Sequence, residues 1–160
     1  MKSAVLSVLN DGSPHLLYIS TYKLGPVLWD LRTGDGPLHA YDVHRGKSVY
    51  SMASNAHSNY VYSIGEDNRL VVVDKRMMGE ASGSDGGRAV AAEWRPGAGD
   101  RSKLSHVACN RGYLAVSQRS GTMHLRNPTT LTAEEVVNRM SSLYSAKYPN
   151  FSLSPSVPIR

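Results

Sequence analysis

Short apolar runs broken by polar turns set the rhythm of this chain. In residues 60–74, "YVYSIGEDNRLVVVD", Tyr60, Val61, Tyr62 and Ile64 precede the turn Gly65-Glu66-Asp67-Asn68-Arg69, and Leu70 to Val73 follow it. β-branched and aromatic residues bounded by turn formers predict strand, turn, strand rather than helix. Shifted back by 44 places, Asp74 falls on Asp30 and "LLYISTYKLGPVLWD" (16–30) lies under the same pattern. Shifted forward by 53 places, "YLAVSQRSGTMHLRN" (113–127) does so.

Each copy has a further strand candidate upstream: Ala4 to Leu9, Val49 to Ala53 and Leu104 to Cys109. A fourth follows the first copy at 37–43, "PLHAYDV", and "RAVAAEWR" (88–95) serves as the outer strand of the second. The Gly- and Ser-rich stretch 79–87 and "PGAGD" (96–100) read as surface loops and explain the longer second spacing. About four strands in ~44 residues is the content and period of a β-propeller blade.

The residues also carry a resemblance. "VLWDLRTG" (27–34) looks like the Trp-Asp ending of a WD40 repeat, and "GEDNRLVVVDKR" resembles the turn and third strand of one. His44 resembles the His of the Gly-His dipeptide that leads into the next blade, with Val43 in place of the Gly. The resemblance covers roughly residues 4–127 and implies an all-β fold of about three four-stranded antiparallel WD40-like blades, at about 4–43, 48–95 and 103–128, within a partial propeller at 1–130. It assigns structural roles to Trp29, Asp30, His44, Ser63 and Asp74. A His, Ser, Asp and Trp network would draw on His44, Ser63 and Asp67 in the second blade, where Val73 replaces the Trp; the first has Trp29 but Lys23 at the turn. With such degenerate repeats, stability is expected to rest mainly on apolar packing. Three blades do not close a ring, so the remaining ones are expected from a longer isoform or from another chain.

After Thr132 the pattern changes. Thr132 with Glu135 forms a capping box, and Val136, Val137, Met140, Leu143 and Tyr144 recur at helical spacing until Pro149. This predicts a short amphipathic C-terminal α-helix over 131–148, docked on the propeller or binding a partner, and an extended or disordered tail over 149–160.

Composition narrows function mainly by exclusion. The chain has 160 residues, is 41% hydrophobic and carries a net charge of +5. That excess equals the excess of the stretch Arg88 to Arg126 alone, seven basic residues against Glu93 and Asp100. RNA or ribonucleoprotein binding through 88–126 is therefore the alternative reading. Only Trp94 and Tyr113 could stack bases there, which makes nucleic acid the weaker expectation. One cysteine, Cys109, precludes an intrachain disulfide and any Cys-rich zinc site, and reads as a small buried hydrophobe. No signal peptide and no apolar run long enough to span a bilayer is present, so a cytoplasmic or nuclear protein with no membrane contact is expected.

Catalytic patterns are wanting. Gly46-Lys47-Ser48 matches the end of a phosphate loop, but Tyr41 occupies the position of the required first Gly and no helix follows. The six histidines show no metal spacing, and no serine occupies a Gly-x-Ser-x-Gly elbow. The expectation is a non-catalytic protein-protein interaction scaffold without a cofactor. Its contacts would lie at the turn tips Tyr22, Lys23, Glu66, Asp67, Arg69 and Arg119, joined by Arg45 from the incoming loop. Tyr and Arg anchor such contacts well, and a net basic rim suits an acidic or phosphorylated peptide. The resemblance implies one narrower version, the substrate-recognition part of a ubiquitin-ligase adaptor of the F-box/WD-repeat class; no F-box-like segment is present in these residues.

Overall fold

A computed structural model describes residues 4–10, 12–34, 36–55, 58–78, 89–110 and 112–138. They form three four-stranded antiparallel sheets, each made of strands consecutive in sequence. Blade 1 holds β1 (Val5–Asn10), β2 (Leu16–Thr21), β3 (Leu24–Asp30) and β4 (Pro37–Ala40). Blade 2 holds β5 (Val49–Ser54), β6 (Tyr60–Gly65), β7 (Leu70–Asp74) and β8 (Val90–Trp94). Blade 3 holds β9 (Leu104–Cys109), β10 (Leu114–Gln118), β11 (Thr122–Arg126) and β12 (Ala133–Asn138). A 3-10 turn, Lys75–Met77, follows β7. The first strand of blade 2, β5, packs between β1 and β9, so the first strands of the three sheets neighbour one another.

Packing explains why β7 is an unbroken apolar run. Blade 2 lies between the other two, so both of its faces are buried. Val61, Val71, Val73 and Met52 pack with Tyr18, Tyr41 and Val43 on the blade 1 side. Tyr62, Ile64, Leu70, Val72 and Ala53 pack with Leu104, Val107, Leu114 and Val116 of blade 3. Alternation within one strand thus feeds two cores, and each fully buried Val or Leu contributes about 1.5–3 kcal/mol. Buried tyrosines reach across with their hydroxyls: Tyr41 donates to the Met78 carbonyl at 2.7 Å and Tyr62 to that of Pro128 at 2.9 Å.

Each blade's second hairpin ends in the same local device. Asp30 accepts from the Arg32 amide at 2.9 Å and forks with its guanidinium, and Asp74 does so with Arg76 at the same distance. In blade 3, Asn127 takes this place and caps the amides of Thr129 and Thr130.

The predicted helix is corrected over Ala133–Asn138. These residues form β12, paired antiparallel with β11 from Thr122↔Asn138 to Arg126↔Ala133. Without them β11 would expose an unpaired edge, and the ladder satisfies those backbone groups. A turn carries the chain back: Leu131 takes φ 58°, its amide donates to the Asn127 carbonyl at 3.0 Å, and Asn127 donates to the Thr132 carbonyl. Val136 and Val137 fit a strand as readily as a helical stripe. The rest of the predicted helix, 139–148, and the tail 149–160 lie outside the described residues, as does the loop 79–87.

Candidate functional site

Side chains at one end of the three sheets form a continuous rim. The β2–β3 turn, Tyr22-Lys23, is tied to the loop entering blade 2, where the Lys23 amide donates to Ser48 Oγ at 3.4 Å. The Ser48 carbonyl accepts from the Glu66 amide at 2.8 Å, which joins that loop to the β6–β7 turn. Lys103 Nζ then donates to the Glu66 carbonyl at 3.3 Å, and the Arg119 amide in the β10–β11 turn donates to the Lys103 carbonyl at 2.9 Å. Asn68 fixes the same junction, accepting from the Leu104 amide at 2.7 Å. Three turns and two connecting loops are thereby held in one row. Lys23 (φ 64°), Arg45 (φ 53°) and Asn68 (φ 59°) adopt the left-handed conformation that tight reversals demand.

Tyr50 stands amid this row. Its pairing register jumps between Val49 and Ser51, so Tyr50 is the extra residue of a β-bulge and has no partner in the β5–β6 ladder. The phenol is about one-third exposed (37%). Burial of its polar tip and the Glu66 carboxylate raise its pKa, Arg119 lowers it and Tyr22 raises it, so residues of all three turns act on this one group. Sequence reading missed Tyr50, Lys47 and Lys103. Tyr50 is the second residue of β5, and no local pattern marks the bulge that takes it out of the ladder.

Of the sequence-predicted tip residues, Tyr22, Lys23, Arg45, Glu66 and Arg119 are exposed at this rim. Lys23 Nζ lies 5.5 Å from the Tyr22 ring centroid. Arg69 is corrected: its side chain is 1% exposed and runs inward. Its Nε donates to Asp67 at 2.5 Å, Nη1 to Glu93 at 2.8 Å and Nη2 to the Val43 carbonyl at 3.0 Å. A guanidinium desolvated by two cores needs every donor satisfied, and three elements of the fold supply the acceptors.

Asp67 takes the network position that the resemblance implied, its carboxylate serving the interior. Oδ1 accepts from His44 Nδ1 at 2.9 Å, and His44 Nε2 lies 3.0 Å from Ser63 Oγ. A carboxylate can only accept, so Nδ1 donates a hydrogen bond to Asp67. Burial raises the Asp67 pKa, but the bonds and charges of His44 and Arg69 outweigh it and leave it below the usual carboxylate value. Gly65 makes the approach possible: a Cβ there would meet His44 Cγ at 2.8 Å and Asp67 Oδ1 at 3.0 Å.

The basic stretch does not form one surface. Arg95, Arg101, Lys103 and Arg119 are exposed, whereas Arg126 is 8% exposed and stacks 3.7 Å from the Trp94 ring centroid. Arg126 fills the repeat position of Trp29 and Val73, so its role is packing between blades. Among the described residues no three His, Cys, Asp or Glu side chains gather as metal ligands. Cys109 is half-buried, its thiol donating to the Asn110 carbonyl at 3.4 Å.

Known structures share this fold. The chain superposes on RRP9 WD40 repeats with a TM-score of 0.68 at 12% identity, covering 86% of this chain and 39% of that one. The chain has the fold of part of a WD40 β-propeller. Saccharomyces cerevisiae Sqt1 gives 0.66 at 11% identity over 87% of this chain and 36% of that chain, and Chaetomium thermophilum Raptor gives 0.62 at 16% over 78% and 11%. This partial propeller therefore spans well under half the length of each. No family model matches the sequence, and a search of curated proteins found no match. Among the described residues no helix of the partial propeller is long and apolar enough to cross a membrane.

Proposed function

We propose that this partial propeller is a non-catalytic interaction scaffold whose rim binds an acidic or phosphorylated segment of a protein partner. One observation carries the reading. A hydrogen-bonded row of turns carries the exposed cations Lys23, Lys103 and Arg119 with Tyr22, Glu66 and Tyr50, and the loop entering blade 2 adds the exposed Arg45, Lys47 and Asp42. Asp42 is partly spent, since it accepts from the Gly46 amide. Aromatic area beside directional cations suits phosphate or carboxylate groups held on a flexible peptide. A rigid backbone row also lowers the ordering cost of binding.

The test is anisotropy titration of a fluorescein-labelled peptide carrying phosphoserines among Asp and Glu. Lys103→Glu with Arg119→Glu, both exposed, should weaken binding by about tenfold or more while the thermal melt stays in place. Tyr50→Ala should weaken it also. Equal binding by the charge-reversed variant overturns the proposal. Tighter binding to a single-stranded RNA with a steep salt slope would favour the nucleic-acid reading instead. The F-box/WD-repeat form is the narrower version of the same proposal, and co-purification of ubiquitin-ligase subunits with the protein would support it.

A further inference from the structure

The contact between blades 2 and 3 holds one imidazole that its surroundings do not satisfy. His124 lies on β11, opposite Val116 of β10 and Val136 of β12. Its ring packs against the Trp94 indole of β8, with centroids 5.1 Å apart. Both ring nitrogens are buried, and neither has a hydrogen-bond partner among the described residues. A neutral imidazole there forgoes two hydrogen bonds. An imidazolium would add an unpaired charge, which costs far more.

The neighbours decide whether the seam tolerates that charge. Arg126, two places along the same row, already brings a guanidinium to within 3.7 Å of the Trp94 ring centroid. Its Nη1 donates to the Leu131 carbonyl at 2.5 Å, while its Nε is buried without an acceptor. The seam is thus short of acceptors for the cation it holds. Asp100, in the loop between β8 and β9, is the carboxylate that acts on His124, but its oxygens accept from the Ser102 amide at 2.9 Å and Gln118 Nε2 at 2.6 Å. On the blade 2 side, Glu93 is engaged by Arg69, and Asp74 at the end of β7 by Arg76. β12 sets Glu135 opposite Leu125, in the other row, and Glu134 at its bulge. Burial pushes the Tyr62 hydroxyl up to about 12 and raises the Cys109 thiol as well, so both stay neutral here. Burial lowers the His124 pKa, Arg126 lowers it further and Asp100 raises it. The unfolded imidazole takes its proton at about pH 6.5 and the folded one lower, so the stability of the closed seam is full above about pH 6.5 and is lost as pH falls.

We propose that this seam is a proton-operated latch: a proton on His124 parts Trp94 from β11 and frees blade 3 from blade 2. An imidazolium is hydrated only if water enters beside Trp94, and water enters only if the joints across the seam yield. Those joints run from the Leu104 amide to Asn68 Oδ1 at 2.7 Å, from the Val107 amide to Ser51 Oγ at 3.2 Å and from Lys103 Nζ to the Glu66 carbonyl at 3.3 Å. The first and last belong to the rim, so opening breaks its row between the second and third turns. The buried His44, by contrast, keeps Asp67 and Ser63 as partners, which confines the opening to blade 3. The latch does not depend on what the rim binds.

Amide hydrogen exchange of the full chain, read by NMR between pH 7.5 and 5.0 and corrected for intrinsic rates, tests it. Protection of the Leu104 and Val107 amides should fall about fivefold or more by pH 5.0, while the β6–β7 ladder holds. In His124→Leu the same amides should keep their protection across the range. His124→Gln, which cannot titrate either, takes its place if the leucine variant fails to fold. Protection that ignores pH in the parent chain overturns the proposal. So does an equal fall in the His124 variant, or one shared by the β6–β7 ladder, which would be global unfolding.

Discussion

Removing the Asp67 carboxylate should cost this fold more than any other single side chain at its turns. In Asp67→Ala, the fully buried His44 loses the acceptor of its Nδ1 proton. An orphaned buried donor costs about 1–3 kcal/mol. Arg69, also buried, keeps Glu93 and the Val43 carbonyl but loses the nearer of its two carboxylates. Breaking a buried ion pair typically costs about 3–5 kcal/mol. Since Arg69 retains those two acceptors, about 3 kcal/mol is the expected sum. For a chain of this size that lowers Tm by about 6–12 °C. Asp67→Asn keeps an acceptor for His44 and the Arg69 amide while losing the charge, so it should fall roughly midway. The assay is thermal unfolding by circular dichroism with a guanidinium titration beside it. An Asp67→Ala variant within about 2 °C of the parent, or an Asn variant as damaged as the Ala one, would refute the reasoning. A pH series adds a control of known sign. The Asp67 pKa lies below its unfolded value, so its contribution is full above about pH 4 and fades as acid protonates the folded carboxylate. The difference between Asp67→Asn and the parent must narrow at low pH.

Gly65→Ala should destabilise the same node by about 2–3 kcal/mol, checked by the same melts, because the new Cβ collides with the His44 ring and the Asp67 carboxylate. His124 has both ring nitrogens buried without a partner beside Trp94, so His124→Leu should raise Tm by a few degrees in calorimetry. Acid should unfold the protein between about pH 4 and 2: the hydrogen bond from Arg32 leads the causes that bring Asp30 down to about 2, that from Arg76 leads those that lower Asp74, and stability carried by depressed carboxylates is lost as pH falls through their folded pKa values. Asp30→Asn should flatten that profile in an acid titration followed by ellipticity. Burial raises the Cys109 thiol, so its reaction with a disulfide reagent at neutral pH should run slower than that of free glutathione.

Strand periodicity carried most of the architecture, since alternating apolar residues at a fixed repeat leave few ways to bury their faces. Eleven of the twelve strands follow from it. β12 escaped because Val136 and Val137 satisfy a helical stripe and a strand alike, and the deciding influence was the open edge of β11, a partner remote from the local pattern. At the candidate site, the turn positions of Tyr22, Lys23, Glu66 and Arg119 were legible from spacing alone. The direction of each side chain was not. Arg69 and Arg119 occupy similar turns, yet one is drawn inward by Asp67, Glu93 and Val43 while the other faces water.

By itself, then, the sequence determined the repeat, the strand-turn-strand modules and the Asp-containing corners, because these depend on residues close along the chain. Tertiary structure alone decided that Arg69 became an interior strut and that a bulge would take Tyr50 out of the ladder. Those outcomes depend on groups 26 to 66 residues apart, such as Arg69 with the Val43 carbonyl and Tyr62 with Pro128, meeting only after the blades pack.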